Sequence, residues 1–320
     1  MTRILAAALS LFITASAALI STVAGVEAKT LGIVALIAND ALNVAVIAGA
    51  TDAAKAAGWD VKVVDTQASA DQANAGMSSF AVQKVDAIMV LAFASSSIGS
   101  GLAAANAAGI PVASWGGEIV PGIIVTTSGQ TVGEDSAKYL LGKVGDSADV
   151  LAMTFHPGKL CIDRGDAFDA AVKGKAGLNI TYNEVTVPGQ VQNGNAIAQP
   201  WLTAHPAGGK KPLAIWACWD EPMQGAVAAL RQAARDDVAT VAINGSPQAI
   251  QLVKDGDMTA TVWQPAYQEG KAMFQAILDS IAAGKSWEPK TIAIPGIVVT
   301  KDKRRQVHRR PPEWSLRRLA

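Results

Sequence analysis

Short apolar runs alternate with longer Ala-rich segments along the chain from residue 30 onward. The runs have the length of buried strands, and the Ala-rich segments repeat apolar residues with the period of a helix. Near-continuous Val, Ile and Ala strands separated by helices indicate a parallel sheet that helices cover on both faces. Up to residue 120 the pattern predicts strands at 31–37, 61–65, 87–91 and 112–114, with helices at 43–57, 72–84 and 98–108.

The same rhythm restarts near residue 131. It predicts strands at 149–154, within 180–187, and at 213–217, 238–243, 259–263 and 291–294. The predicted helices cover 131–144, 164–173, part of 194–204, 222–234, 247–254 and 269–283. Two consecutive sets of similar size predict two lobes, each a doubly wound α/β sheet. Ligands of such sheets bind beyond the carboxyl ends of the strands, so two facing lobes would share one cleft.

The first 28 residues have the pattern of a secretory signal peptide. Met1-Thr2-Arg3 is a short positive segment, Ile4–Val26 is uncharged, and Val26-Glu27-Ala28 resembles a cleavage site. We therefore expect a signal peptide at 1–28 and an exported, periplasmic or otherwise extracytoplasmic protein. The uncharged run is long for a signal peptide, so an uncleaved membrane anchor stays an alternative.

Composition separates the body of the chain from its last twenty residues. Half of the 320 residues are hydrophobic and 17% are charged, which excludes disorder for most of the chain. The formal net charge is zero, but residues 301–320 hold eight basic and two acidic side chains, which leaves 19 basic and 25 acidic ones in residues 1–300. An acidic body repels polyanions, so we expect no nucleic-acid partner outside the tail.

The basic tail at 301–320 has no apolar period and is expected to be disordered. Its charge lies in Lys303-Arg-Arg305, Arg309-Arg310 and Arg317-Arg318. A segment that binds a polyanion or a membrane, and an altered reading frame, both agree with this composition.

Six stretches support a family resemblance. They are Thr30-Leu-Gly-Ile-Val-Ala-Leu36, Ala107-Ala-Gly-Ile-Pro-Val-Ala113, Arg164-Gly-Asp-Ala-Phe168, Ala217-Cys-Trp-Asp-Glu221, Val241-Ala-Ile-Asn-Gly-Ser-Pro247 and Ala260-Thr-Val-Trp-Gln-Pro265. In their order and spacing the chain from Thr30 to about Thr300 resembles the ribose-binding type of periplasmic solute-binding protein, the receptor of sugar ABC importers. The resemblance implies the type I fold, in which two doubly wound lobes are joined by a three-strand hinge.

The resemblance also implies where the chain passes between the lobes. The crossovers are expected near Ser128–Gln130, Gln264-Pro265 and Ile294-Pro295. One lobe would hold residues 29–129 plus 265–294, and the other 130–264 plus 295–300. Closure of the lobes about this hinge around one small neutral sugar or polyol is the implied mechanism. The resemblance further implies a monomer that delivers its solute to an ABC permease. Such a protein catalyses no reaction and needs no cofactor or metal. A sensory receptor with the same closed form remains an alternative.

The resemblance implies nine ligand-binding positions. They are Asp40, Asn43, Trp115, Gly116, Arg164, Trp219, Asn244, Trp263 and Gln264. The guanidinium of Arg164 suits a pair of hydroxyls, whereas pairing with Asp166 or Asp169 on the surface is the structural alternative. The amides of Asn244 and Gln264 supply both a donor and an acceptor, and either residue could instead serve a turn.

One departure from the family changes the expected ligand. Sugar-binding members commonly have an Asp-Arg pair where this chain has Gly116-Gly117, so we expect the loss of a charged anchor to open space. Trp115, Trp219 and Trp263 can stack on a sugar or a planar ring, with core packing as the alternative for each. Trp216 lies inside a strand and is expected in the core. An aromatic or heterocyclic solute is therefore the second ligand class.

Weaker signals suggest other chemistry. Residues 99–104 match the dinucleotide fingerprint G-x-G-x-x-A with Glu118 beyond, which would make the chain an exported NAD-dependent oxidoreductase. Seven residues separate Gly99, the first glycine of this match, from the preceding strand, where the fingerprint needs a tight turn. Asp220 is expected to cap a helix. Cys161 and Cys218 are interpreted as buried thiols, with a single disulfide as the alternative.

Overall fold

The structure, a computed structural model, describes residues 28–302. The predicted signal peptide and basic tail therefore lie outside the described residues, apart from Ala28 at one end and residues 301–302 at the other. Within this range the chain builds two six-stranded sheets.

The first sheet contains only parallel strands and forms the N-terminal lobe. Its strands are β1 (Thr30–Ala35), β2 (Asp60–Asp65), β3 (Ala87–Leu91), β4 (Val112–Trp115), β5 (Ile123–Thr127) and β11 (Lys290–Ile292). They lie in the order β11-β5-β4-β3-β1-β2. The helices of this lobe are α1 (Ala41–Ala56), α2 (Ala70–Val82), α3 (Gly99–Ala107) and α9 (Ala266–Ala283).

The second sheet forms the C-terminal lobe. Its strands are β6 (Ser147–Thr154), β7 (Gly177–Glu184), β8 (Leu213–Ala217), β9 (Val238–Asn244), β10 (Ala260–Trp263) and β12 (Ile297–Thr300). The order is β12-β10-β9-β8-β6-β7, and β12 pairs antiparallel to β10 while its other neighbours are parallel. The helices are α4 (Gln130–Val144), α5 (Lys159–Val172), α6 (Gln190–Ala204), α7 (Asp220–Gln232) and α8 (Pro247–Asp255).

The central strands are apolar on both faces, as the sequence pattern predicts. Every residue of β3 and of β8 is buried, and five of the six residues of β1 are buried. Burial on two faces requires helices on both sides of each sheet, so the doubly wound α/β prediction is confirmed. Side-chain caps fix the starts of some helices: Ser69 accepts a hydrogen bond from the backbone of Gln72, and Ser246 one from Ala249.

Three connections pass between the two sheets. They join β5 to β6, β10 to β11, and β11 to β12. The predicted crossovers at 128–130, 264–265 and 294–295 fall within these connections. The bounds of the two lobes stay a prediction at the level of single residues.

Some predicted elements differ from the structure. Helix α5 begins at Lys159, five residues before the predicted start at Arg164. Gly158 precedes its first turn, and the apolar pair Leu160-Cys161 belongs to the helix. Strand β5 is absent from the prediction, since it is a short run directly after Pro121-Gly122. Gly101, the second glycine of the dinucleotide-like motif, has a packing role. A Cβ at this position would lie 2.8 Å from the Cβ of Met77 on α2.

Candidate functional site

The carboxyl ends of the strands of both lobes meet at one cavity. The space between the lining atoms is about 430 Å³, a figure that includes the open mouth. Loops after β1, β3 and β4 supply one wall, and loops after β6, β8 and β9 together with α5 supply the other. This is the cleft position that the doubly wound lobes predict.

Six of the nine predicted site residues line this cavity, and they are Asp40, Asn43, Trp115, Arg164, Trp219 and Asn244. Trp263 and Gln264 line a neighbouring cleft that shares Asn244 with the cavity. Gly116 lies next to Leu160, a cavity residue that the sequence did not indicate. Phe155, Ala92 and Cys161 are further unpredicted members of the wall, which also contains Leu36, Ile37, Leu42 and Gly158.

Arg164 is buried in the cleft, with only 2% of its surface exposed. One terminal nitrogen donates to the carbonyl of Cys218 over 2.6 Å, and the other donates to Oε1 of Gln264 over 2.7 Å. Its Nε has no hydrogen-bond partner in the protein. The alternative of a surface pair with Asp166 or Asp169 is therefore wrong.

Gln264 lies behind Arg164, and both ends of its amide are bonded within the protein. Its Nε2 donates to Oε2 of Glu269 over 2.9 Å, and the same oxygen accepts from the indole N–H of Trp115 over 2.7 Å. Glu269 thus links Trp115 to Gln264, which in turn holds Arg164. The sequence places Glu269 near a helix start but gives no sign of this role, because Trp115 is 154 residues away.

Asn43 and Asn244 present unpartnered amide oxygens. The Oδ1 atoms of both residues are buried and have no hydrogen-bond partner. Asn244 ends β9 with φ of +132°, a backbone conformation that favours glycine, so its amide is held in place at a conformational cost.

Asp40 is the N-cap of α1. Its Oδ1 accepts from the backbone N–H groups of Leu42, over 3.0 Å, and Asn43, over 3.4 Å. The carboxyl group of Asp40 also interacts with that of Glu221, at the start of α7 in the opposite lobe. Two ionised carboxylates repel each other, so the pair favours holding a proton. Burial raises the pKa of both groups, and the charges of Asp40 and Asp220 raise the pKa of Glu221 further.

Asp220 is not the helix cap that the sequence predicts. Trp219 occupies the N-cap position, and Asp220 is the first helical residue. Its carboxylate accepts from the backbone of Ser246 and the hydroxyl of Thr261, each over 2.7 Å, within the C-terminal lobe. Burial raises the pKa of Asp220 to about 6.

The tryptophans divide between cavity and core. Trp219 packs on Phe155 with ring centroids 5.5 Å apart, and both rings line the cavity. Trp216 stacks on Phe168 at 4.6 Å, which confirms the expected core position. Trp263 contributes to the neighbouring cleft instead.

The sequence suggested that the two glycines after β4 open space in the cleft. The structure shows that they do not. A Cβ on Gly116 would lie 2.7 Å from Cγ and 2.8 Å from Cδ2 of Leu160, so the side chain of Leu160 from the opposite lobe fills the place. Gly116 also has φ of +93°, which favours glycine. The expectation of extra room at this point is therefore wrong.

Other chemistry finds little support in the described part of the chain. Cys161 and Cys218 are both buried free thiols. Residues 28–302 contain no group of three His, Cys, Asp or Glu side chains arranged to hold a metal ion. No helix in the same range is long and apolar enough to cross a membrane.

Comparisons with known proteins agree with this geometry. Residues 31–286 match the family profile described as periplasmic binding protein domain. The ribose import binding protein of Salmonella typhimurium (strain LT2) is 27% identical over 265 residues, covering 82% of this chain and 87% of that protein.

Solved structures superpose on most of the chain. A solute binding protein of an ABC transporter from Agrobacterium vitis, crystallised with bound allitol, has a TM-score of 0.80 at 26% identity and covers 88% of this chain and 99% of its own. An ABC sugar transporter subunit from Rhodobacter sphaeroides 2.4.1 has a TM-score of 0.78 at 26% identity, with coverages of 86% and 98%.

Proposed function

The chain belongs to the periplasmic binding protein domain family, and from this membership we propose that it is the receptor of an ABC importer that closes its two lobes around one small neutral sugar or polyol. The family resemblance found in the sequence is thereby confirmed. The relatives are solute-binding proteins of sugar transport.

Three unpartnered polar atoms carry the proposal for the ligand. Asn43 Oδ1, Asn244 Oδ1 and Arg164 Nε are all buried, all belong to the cavity wall, and none has a hydrogen-bond partner in the protein. Buried polar groups without partners are costly, so such a set indicates a ligand that supplies partners. Each hydroxyl donates one hydrogen bond and accepts up to two, so two hydroxyls of one ligand satisfy both amide oxygens and the guanidinium N–H.

Contacts between the lobes support closure as the mechanism. The backbone N–H of Lys159 on α5 donates to the carbonyl of Ala92 in the other lobe over 2.9 Å. The ammonium group of Lys159 lies 3.8 Å from the carboxylate of Glu118, also across the cleft. Lys159 thus joins the two rims of the cleft while the ligand is enclosed between them.

The hinge side of the cleft is fixed by Asp163. Its carboxylate accepts from the hydroxyl of Ser128 over 3.1 Å and from the backbone of Gly129 over 3.2 Å, and it pairs with Lys159. Lys159 and Asp163 are one helix turn apart on α5. This turn therefore connects the first crossover, at Ser128 and Gly129, to the contacts of Lys159 at the rim of the cleft. We propose that closure at the rim and bending at this crossover occur together.

The remaining features of the proposal follow from the mechanism. We propose that the protein is exported, works as a monomer in the periplasm, and passes its solute to a membrane permease. Binding and release of an unchanged solute require no catalytic group.

A planar heterocyclic solute is the second candidate. The rings of Trp115, Phe155 and Trp219 all line the cavity and favour a flat aromatic ligand. The two unpartnered amide oxygens favour a polyhydroxylated ligand over it, because they need donors.

A thermal-shift screen of the purified chain tests the ligand class. Pentoses, hexoses and polyols form one panel, and nucleobases and aromatic acids form the other. Ligand at a thousand times its Kd adds about 4 kcal/mol of stability, which raises the Tm by about 8–16 °C for a protein of this size. We expect such a shift from a sugar or polyol. A shift from the aromatic panel alone would replace the sugar by the second candidate.

A further inference from the structure

The cavity has an apolar end at the contact between Gly116 and Leu160. The branched end of Leu160 lies directly over Gly116 of the other lobe, and Leu160 also lines the cavity. Ala92 and Trp115 line the wall beside it, on the N-terminal lobe. All four residues are buried, so a ligand group at this end meets carbon rather than water.

The polar atoms of Trp115 and Ala92 at this end already have hydrogen-bond partners within the protein. The indole N–H of Trp115 donates to Glu269, and the carbonyl of Ala92 accepts from the backbone of Lys159. These bonds turn the polar atoms of both residues away from a ligand. The aromatic ring of Trp115 and the methyl groups of Ala92 and Leu160 remain as the contact surface.

The same helix presents a polar group one turn further on. Arg164 follows Leu160 by four residues on α5, and residues at this spacing share one face of a helix. Arg164 Nε is unpartnered, and its guanidinium points toward Gln264 at the second crossover. Asn244 lies on the same side, because it lines both the cavity and the neighbouring cleft that contains Gln264. The cavity is therefore polar beside Arg164 and Asn244 and apolar beside Leu160.

We infer that the ligand is a sugar or polyol with an apolar group at one end, such as the methyl group of a deoxy sugar or an alkyl thioether, which packs against Leu160, Ala92 and Trp115. This inference rests on the proposed function and narrows its substrate class. A hydroxyl at this end would lose its water without gaining a partner, while a methyl group would fill the same space favourably. The hydroxyls of the ligand would then face Asn43, Asn244 and Arg164.

Matched pairs of ligands test the inference on the unmodified full chain. Isothermal titration calorimetry compares D-ribose with 5-deoxy-D-ribose, D-galactose with D-fucose, and allitol with 1-deoxyallitol. Pockets that are apolar at one point discriminate such pairs by about ten- to a hundredfold. We expect the deoxy compound of the best-binding pair to have a Kd at least tenfold lower than its parent.

The outcomes separate this inference from the proposed function. Equal or tighter binding of the parent sugar would overturn the apolar end while leaving the sugar receptor standing. If no member of any pair binds, the proposed function falls, and the inference falls with it. Neither result depends on a variant that must fold.

A pair of variants locates the contact. Leu160→Asn should reduce the preference for the deoxy ligand to less than about threefold, because an amide gives the hydroxyl a partner. Leu202→Asn is the matched control, since Leu202 is equally buried in the same lobe, at 5% exposure, and does not line the cavity. It should keep the preference of the unmodified protein. An unchanged preference in Leu160→Asn would overturn the role of Leu160.

Discussion

Arg164 is the positive charge among several buried carboxyl groups. It faces Asp40, Asp220 and Glu269, and each of these groups is held nearer to its ionised form by the guanidinium. Burial nevertheless raises the pKa of all three above their ordinary values, so Arg164 only partly offsets desolvation. The residue therefore serves the folded state as well as the ligand.

Arg164→Ala should lower both binding and stability. The change leaves the carbonyl of Cys218 and the amide of Gln264 without their donor, and breaking a buried charge cluster costs about 3 kcal/mol. Urea denaturation should show this loss, and calorimetry should show no ligand binding. Arg231→Ala is the control, since its pair with Asp257 is on the surface and should contribute less than about 1 kcal/mol. Wild-type affinity in Arg164→Ala would contradict the site.

Trp219→Phe should weaken ligand binding by roughly three- to tenfold with a small loss of stability. The indole lines the cavity and packs on Phe155, so a smaller ring keeps the packing but loses ligand contact. Trp216→Phe gives the opposite result, because Trp216 is fully buried and its N–H donates to Ser136 over 3.0 Å. It should lower the free energy of unfolding and leave Kd unchanged. If Trp219→Phe and Trp216→Phe changed Kd equally, ligand contact would not distinguish Trp219 from Trp216.

The single residues of the site show what a sequence can and cannot reveal. Arg164, Asn43 and Asn244 were identifiable because the family resemblance implies ligand contacts at these positions. Glu269 and Glu221 were not, because their partners are distant in sequence and belong to other elements. The function of a buried carboxyl depends on what faces it, which no local pattern records.

Among the elements, the start of α5 determines how the cleft closes. Lys159 and Leu160 form its first turn and make the backbone bond to Ala92 and the contact with Gly116. The predicted helix began at Arg164 and left this turn out. The error arises because Gly158 and Lys159 carry no capping side chain, so the sequence offers no start signal.

Gly116→Ala should weaken ligand binding at least tenfold. The new Cβ would lie 2.7 Å from Leu160 when the lobes are closed, and overpacking of this kind costs about 1–3 kcal/mol. Small-angle X-ray scattering with saturating ligand should show incomplete compaction.

Gly109→Ala is the matched control for this change. Gly109 also has a positive φ, of +71°, but a Cβ there meets nothing within 4 Å. Both variants should therefore lose a similar amount of stability, about 1–2 kcal/mol, from backbone strain. Only Gly116→Ala should lose affinity. Equal affinities in the two variants would show that Leu160 does not limit closure.

The arrangement of whole elements was the most predictable part of the protein. Continuous apolar strands such as β3 and β8 appear with the same bounds in the sequence pattern and in the structure. Two sheets with parallel central strands follow from that pattern and from the limited ways in which such units fold. Contacts across the cleft were beyond prediction, because they join residues of two separate sheets.

In the molecule as a whole, the lobes meet through a carboxyl pair whose proton content depends on closure. Asp40 belongs to the N-terminal lobe and Glu221 to the C-terminal lobe, and each carboxyl group influences the pKa of the other. The other charges facing the pair are those of Asp220 and Arg164. When the lobes separate, water reaches both carboxyl groups, and their pKa values return toward the ordinary 3.8 and 4.5.

Ligand affinity should therefore fall as the pH rises. Because burial raises the pKa of both carboxyl groups in the closed form, closure takes up a proton, and it is most favourable at or below the ordinary carboxyl pKa. The favourable contribution is lost as the pH rises from about 4.5 through the raised pKa of the pair, by at most about tenfold in Kd per pH unit. Calorimetric titrations at successive pH values between 4.5 and 8 should show this slope and proton uptake on binding.

Glu221→Gln isolates the carboxyl pair from other titrations. The amide has no proton to lose in this window, so the slope of affinity against pH should become smaller. The slope that remains belongs to Asp40, whose pKa burial also raises. Asp257→Asn is the control, because its pair with Arg231 lies on the surface and Asp257 does not face Asp40 or Glu221. It should leave the slope of ligand affinity in place. A Glu221→Gln protein with the slope of the unmodified chain would show that the pair does not couple closure to protons.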